Sequence, residues 1–142
     1  MAEGDGQEVT WLKAVVEQLL AWHDAILSAS GGLPGVHMDR LHAACARPFQ
    51  TFDGSELYGD PWQKAAALFH ALVKDHPFVD GNKRTATFAS VVLLIALGST
   101  RDVPRPLQVR LLGEIAIEIA QGGLTVDQVA DWLRRILEAS LR

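Results

Sequence analysis

A single cysteine, Cys45, stands among the 142 residues of the sequence. A lone thiol has no internal partner, so no disulfide framework supports the fold. No secretory leader is visible at the N-terminus, and the two features together predict a reducing, cytoplasmic setting. Long apolar runs are missing too. The longest, Ala86–Gly98, spans 13 residues and includes Thr and Ser, whereas about 20 apolar residues are needed to cross a bilayer. No membrane association is expected. Basic charge is scarce: the formal net charge is −4, and Glu3, Asp5 and Glu8 face no base among the first nine residues, leaving the rest of the chain near −1. Without a broad basic field, direct nucleic-acid binding is not expected. Internal repeats and low-complexity tracts are absent as well.

What remains is the composition of an ordinary globular protein, 49% hydrophobic and 21% charged. The length suits one domain on a scale of roughly 100–200 residues each. Residues 1–9, acidic and glycine-containing, read as a flexible tail, and residues 10–142 as the domain. Thr10 is placed to cap a first helix whose apolar positions (Trp11, Leu12, Val15, Val16, Leu19, Leu20, Ile26, Leu27) recur at helical spacing. His23 falls on the same face and reads as a satisfied core histidine. Gly31-Gly32 ends that helix, and a short second one runs from about Met38 to Arg47, where Pro48 stops it. Residues 50–58 carry an Asp53-Gly54 turn signal between Phe52 and Leu57-Tyr58, which predicts a small flap of two strands. Asp60-Pro61 opens a third helix to about Asp75. A fourth, from near Asn82 to Gly98, is apolar on nearly all sides and is expected at the centre of the bundle. The fifth covers about Leu107–Gln121, and Thr125-Val-Asp-Gln128 is a capping box for the sixth. Helix follows helix through short links, so the class is all-α.

The chemistry concentrates in His76-Pro-Phe-Val-Asp80-Gly81-Asn82-Lys83-Arg84-Thr85. A loop bearing an imidazole and a carboxylate runs here into the N-terminus of an apolar helix. The first amides of a helix have no intrahelical acceptor and carry about half a positive charge. Gly81 leaves room for a group to approach, and the combination suits a phosphate. Lys83 and Arg84 stand at the unfavourable end of the helix dipole, at a cost of about 0.3–1 kcal/mol each, which an anionic ligand would reverse. Simpler readings stand beside these. Both cations can point into water. Asp80 can be their ion-pair partner, or a ligand of a magnesium ion carried in on phosphates. Asn82 can cap the helix, and His76 can be a packed loop histidine. Phe78 reads as a structural anchor. The remaining histidines show no zinc-ligand spacing, and Cys45 reads as a packing residue.

At these residues the chain resembles the Fic/Doc family. The family pattern His-x-Phe-x-Asp/Glu-Gly-Asn-Gly-Arg-x-x-Arg is matched by His76, Phe78, Asp80, Gly81, Asn82 and Arg84, with Lys83 in place of the second glycine and Thr87 in place of the last arginine. The Asn-Lys-Arg-Thr-Ala form is similar to the Doc, or death-on-curing, branch. Gly31-Gly-Leu-Pro-Gly35, Ala46-Arg47-Pro48, Glu56-Leu57-Tyr58 and the Thr125–Leu133 segment extend the likeness over about residues 15–135. Val36-His37-Met38-Asp39 and Leu41-His42-Ala43-Ala44 depart from it.

The resemblance implies a toxin of a type II toxin–antitoxin pair. Fic enzymes transfer AMP, whereas the Doc branch transfers the γ-phosphate of ATP to a Thr/Ser hydroxyl, with elongation factor Tu as target, and so halts translation. In this reading His76 is the catalytic base and Asp80 the Mg2+ ligand. Gly81, Asn82, Lys83 and Arg84 bind the phosphates of ATP. A lysine at position 83 crowds the cradle that AMP transfer needs but can hold a nucleotide turned the other way. A Fic-type AMP-transferase and a decayed nucleotide- or partner-binding module remain as alternatives. The resemblance also implies a Phd-like antitoxin whose C-terminal segment docks near the flap, with Phe52 and Tyr58 as candidate contacts. The inhibitory Ser/Thr-x-x-x-Glu-Gly/Asn pattern of many Fic proteins is not found, so inhibition is expected in trans.

Overall fold

A run of small residues sets the centre of the molecule. The computed structural model describes the backbone of residues 2–138 and the side chains of residues 12–138. Among these, six helices enclose one core: α1 (Ala2–Ser30), α2 (Met38–Ala46), α3 (Pro61–Lys74), α4 (Asn82–Ala96), α5 (Pro106–Ala120) and α6 (Val126–Glu138). A 3-10 turn, Arg47–Phe49, and a two-stranded hairpin, β1 (Thr51–Phe52) and β2 (Ser55–Glu56), link α2 to α3. In α3, Ala65, Ala66, Ala67 and Ala71 are buried together with Leu68, Phe69, Leu72 and Val73. The small side chains let α2, α4, α5 and α6 all pack against this helix. The buried axis is therefore α3, with α4 beside it. The apolarity of α4 is only partly spent on the core, since Phe88 and Ile95 remain 46% and 40% exposed.

Local signals account for most boundaries. The Asp60 carboxylate accepts the Gln63 amide at 2.9 Å and Pro61 holds the first helical position, so α3 starts as expected. Thr125 Oγ1 accepts the Gln128 amide at 3.2 Å, while Gln128 Oε1 accepts that of Thr125 at 2.9 Å. One boundary differs. The backbone of α1 begins at Ala2, so residues 2–9, expected as a loose tail, continue the helix. Extending an existing helix costs far less than nucleating one. Met1 and residues 139–142 lie outside the described residues.

The flap forms as expected. Thr51 pairs with Glu56 and Phe52 with Ser55. Between them Asp53 and Gly54 take φ of 54° and 81°, the positive values a two-residue turn requires. The buried ammonium of Lys64 on α3 donates to the Tyr58 carbonyl and lies 3.4 Å from the Glu56 carboxylate, tying the hairpin to the bundle.

Candidate active site

The loop between α3 and α4 is held from two sides. On one side lies the stretch after α1: His37 N donates to Pro77 O at 2.6 Å, Val79 N donates to Gly35 O at 3.0 Å, and Val36 bridges Phe78. On the other side is Asn82, whose Oδ1 accepts Phe78 N at 3.0 Å and whose Nδ2 donates to Phe78 O at 2.8 Å. Phe78 is buried, as an anchor should be. These contacts hold His76 at φ 47°, a left-handed conformation that costs a non-glycine residue about 1–3 kcal/mol. The result is an imidazole presented to solvent rather than packed. Asn82 Nδ2 lies 3.5 Å from His76 Nδ1, too far to fix the tautomer of the ring.

Asp80 makes no ion pair with Lys83 or Arg84. Its Oδ2 accepts the Leu33 amide at 3.1 Å and its Oδ1 accepts the Gly81 amide at 2.8 Å. These two backbone donors hold its carboxyl below the usual carboxylate range, and the charges of Arg84 and His23 add to the effect. Gly32 is needed for the approach: with φ 134°, a Cβ there would fall 2.9 Å from Asp80 Oδ2 and 2.6 Å from Leu27 Cδ2. An ionised carboxylate has lone pairs left after two such bonds. One acidic ligand suits a magnesium ion whose other ligands are phosphate oxygens and water. Among the described residues no group of three or more acid, histidine or cysteine side chains is placed to hold a metal ion.

Gly81, at φ 81°, is the N-cap of α4, and no side chain caps that helix. Asn82 is the first helical residue, not the cap, and its carboxamide is committed to Phe78. Lys83 is exposed. Arg84 has a structural partner that the sequence does not reveal: its Nη1 donates to Ser30 Oγ and, at 3.1 Å, to Gly31 O. It thus serves the negative end of α1, which offsets its unfavourable place at the positive end of α4. The dipole argument for an anion accordingly rests on Lys83 and the uncapped amides.

His23 is the satisfied, inward-facing histidine expected, and its place beside the motif loop is what the sequence did not show. It is buried, stacks on Phe78 with ring centroids 3.8 Å apart and planes at 10°, and its Nε2 lies 2.6 Å from Asp80 O. Its spacing from Leu19 and Leu27 announces only an inward face. Cys45 is the packing residue expected: burial pushes its thiol up to about 12. Of the two flap residues, Phe52 is 76% exposed and Tyr58 is half-buried. A larger apolar groove of about 590 Å³ lies beside Lys83, lined by Ile26, Phe88, Val91, Ile95, Val103 and Val109.

Comparison with known proteins identifies the family of the sequence. Residues 11–94 match the family described as Fic/DOC family. The chain is 33% identical to "Protein kinase doc" of Escherichia phage P1 over 121 residues, which cover 84% of this chain and 91% of that protein. It is 42% identical to "Toxin Doc" of Mycolicibacterium smegmatis over 80 residues, which cover 54% of this chain and 60% of that one. The matched family segment takes in the motif loop, the stretch after α1 that holds it and the whole flap. The chain therefore belongs to the Fic/DOC family, in its Doc branch.

Proposed function

We propose that the protein is a Doc-type toxin acting as an ATP-dependent protein kinase, which moves the γ-phosphate of ATP to a Thr/Ser hydroxyl of a translation factor. Elongation factor Tu is the target the family resemblance suggests, and a Phd-like antitoxin the partner. The observation that carries the reading is the exposed lysine, Lys83, in the first turn of an uncapped helix, flanked by His76 and an ionised Asp80. The phage P1 relative named as a protein kinase supports it.

Phosphoryl transfer asks little covalent chemistry of a protein; it asks for a base, charge stabilisation and alignment. His76, solvent-facing and fixed at the backbone, takes the proton of the acceptor hydroxyl on an unprotonated ring nitrogen. Asp80 is the residue that would hold Mg2+, and the ion would supply charge neutralisation on the phosphates. The free amides of α4 and the Lys83 ammonium bind phosphate oxygens. Gly81 supplies the left-handed turn that leads into α4, Asn82 keeps the loop in shape, and Arg84, anchored on α1, adds positive charge. The flap, with Phe52 exposed at the end of β1 beside the turn, lies open to an incoming protein chain.

The test is ATP labelled separately at the α- and γ-phosphate, with a translation extract as acceptor. Transfer of γ-label by the wild type, and its loss by at least about 100-fold in a folded His76→Ala variant, is expected. Transfer of α-label would establish AMP transfer instead, and transfer of neither would leave a binding module.

A further inference from the structure

The peptide unit between Asp80 and Gly81 is held at both of its polar ends. Its carbonyl accepts from His23 Nε2 at 2.6 Å, and its amide donates to the Asp80 carboxylate at 2.8 Å. In a trans peptide these two groups point in opposite directions, so fixing both fixes the rotation of the plane. That rotation decides three things: the φ of 81° at Gly81, the aim of the Asp80 carboxylate, and whether the next amides of α4 face outward. The His23 ring cannot easily swing away. It is stacked on Phe78 at 3.8 Å, it is buried, and it lies 3.4 Å from where a Cβ of Gly81 would be. Phe78 is itself pinned through its backbone by Asn82.

We infer that His23, from α1, is a positioning residue that orients the Asp80–Gly81 peptide, and through it the carboxylate and the phosphate-facing amides of the site. A carbonyl acceptor requires a proton on Nε2, so the ring acts here as a donor. The ring's other contact is an aromatic face, and that explains why neither a lysine nor a hydroxyl would serve in its place. The inference deepens the kinase reading but rests on it only for the catalytic readout.

The test compares the full-length wild type with His23→Phe, which keeps the stack and loses the donor, and His23→Gln, which keeps an amide donor. Exchange of the Gly81 amide, followed by NMR, needs no activity: it should quicken about tenfold in His23→Phe while helix amides are unchanged, and recover in His23→Gln. Label transfer from ATP, scored on whichever phosphate moves, should fall about 10–100-fold in kcat with little change in KM for ATP in His23→Phe, with partial rescue by His23→Gln. Unchanged Gly81 exchange in His23→Phe overturns the positioning role even if the kinase reading stands. A wild type that transfers nothing overturns the kinase reading while the exchange result still decides the role of His23. Should His23→Phe fail to fold, the wild type alone remains decisive: a slowly exchanging Nε2 proton on His23 is expected, and its absence refutes the bond.

Discussion

Asp80 illustrates how a single side chain can be organised by backbone alone. Its two oxygens take the amides of Leu33 and Gly81, and both bonds favour the ionised form. A carboxylate whose folded pKa is depressed adds stability that is present above its unfolded pKa and lost as pH falls through the folded one. The loss therefore begins below the ordinary value of 3.8. Melting curves of the wild type and Asp80→Asn should show the wild type ahead at neutral pH, with the gap closing as pH drops below that value. A gap that is the same at neutral pH and in strong acid would refute this account. At this scale the sequence was informative about chemistry and poor about partners. That His76, Asp80 and Phe78 share one loop, with Phe78 buried as its anchor, was legible from their types and spacing. The bonds of Asp80, Arg84 and His23 were not, because their partners lie 47 to 57 residues away in the chain.

Helix ends and turns were the most legible elements, since their causes are local. The Asp60–Gln63 and Thr125–Gln128 pairs and the Asp53-Gly54 turn each depend on residues within a few positions. The pairing of residues 35–37 with residues 77–79 has no such signature; it is a backbone match between two irregular stretches. The start of α1 was misplaced for a related reason: a good cap at Thr10 does not forbid a helix from extending past it. The flap depends on a longer reach, through Lys64. Replacing it with Met keeps the stem but leaves the Tyr58 carbonyl without its donor and Glu56 without its partner. Lys64→Met should lower stability by about 1–3 kcal/mol and hasten proteolytic nicking at the flap tip. Nicking rates equal to the wild type would show that the hairpin holds itself.

For the molecule as a whole, control from outside is the expectation. Phe52 is 76% exposed on a hairpin fastened to α3, a rigid apolar contact available to a partner's segment. Expression of the chain alone should arrest growth, and co-expression with its gene neighbour should relieve the arrest. Phe52→Ser should leave a folded protein and weaken binding of that neighbour by about 2 kcal/mol if the flap is where it docks; unchanged affinity, measured by titration calorimetry, would move the docking site elsewhere. The way the site is stitched together bears on how it comes into being. His23, Ser30, Gly31 and Leu33 arrive early in the chain, and the Asp80 and Arg84 groups they hold arrive some fifty residues later. A ribosome making this protein therefore carries no working site until Arg84 has cleared its exit tunnel. Every abandoned copy that stops short of Arg84 lacks the groups that complete the site.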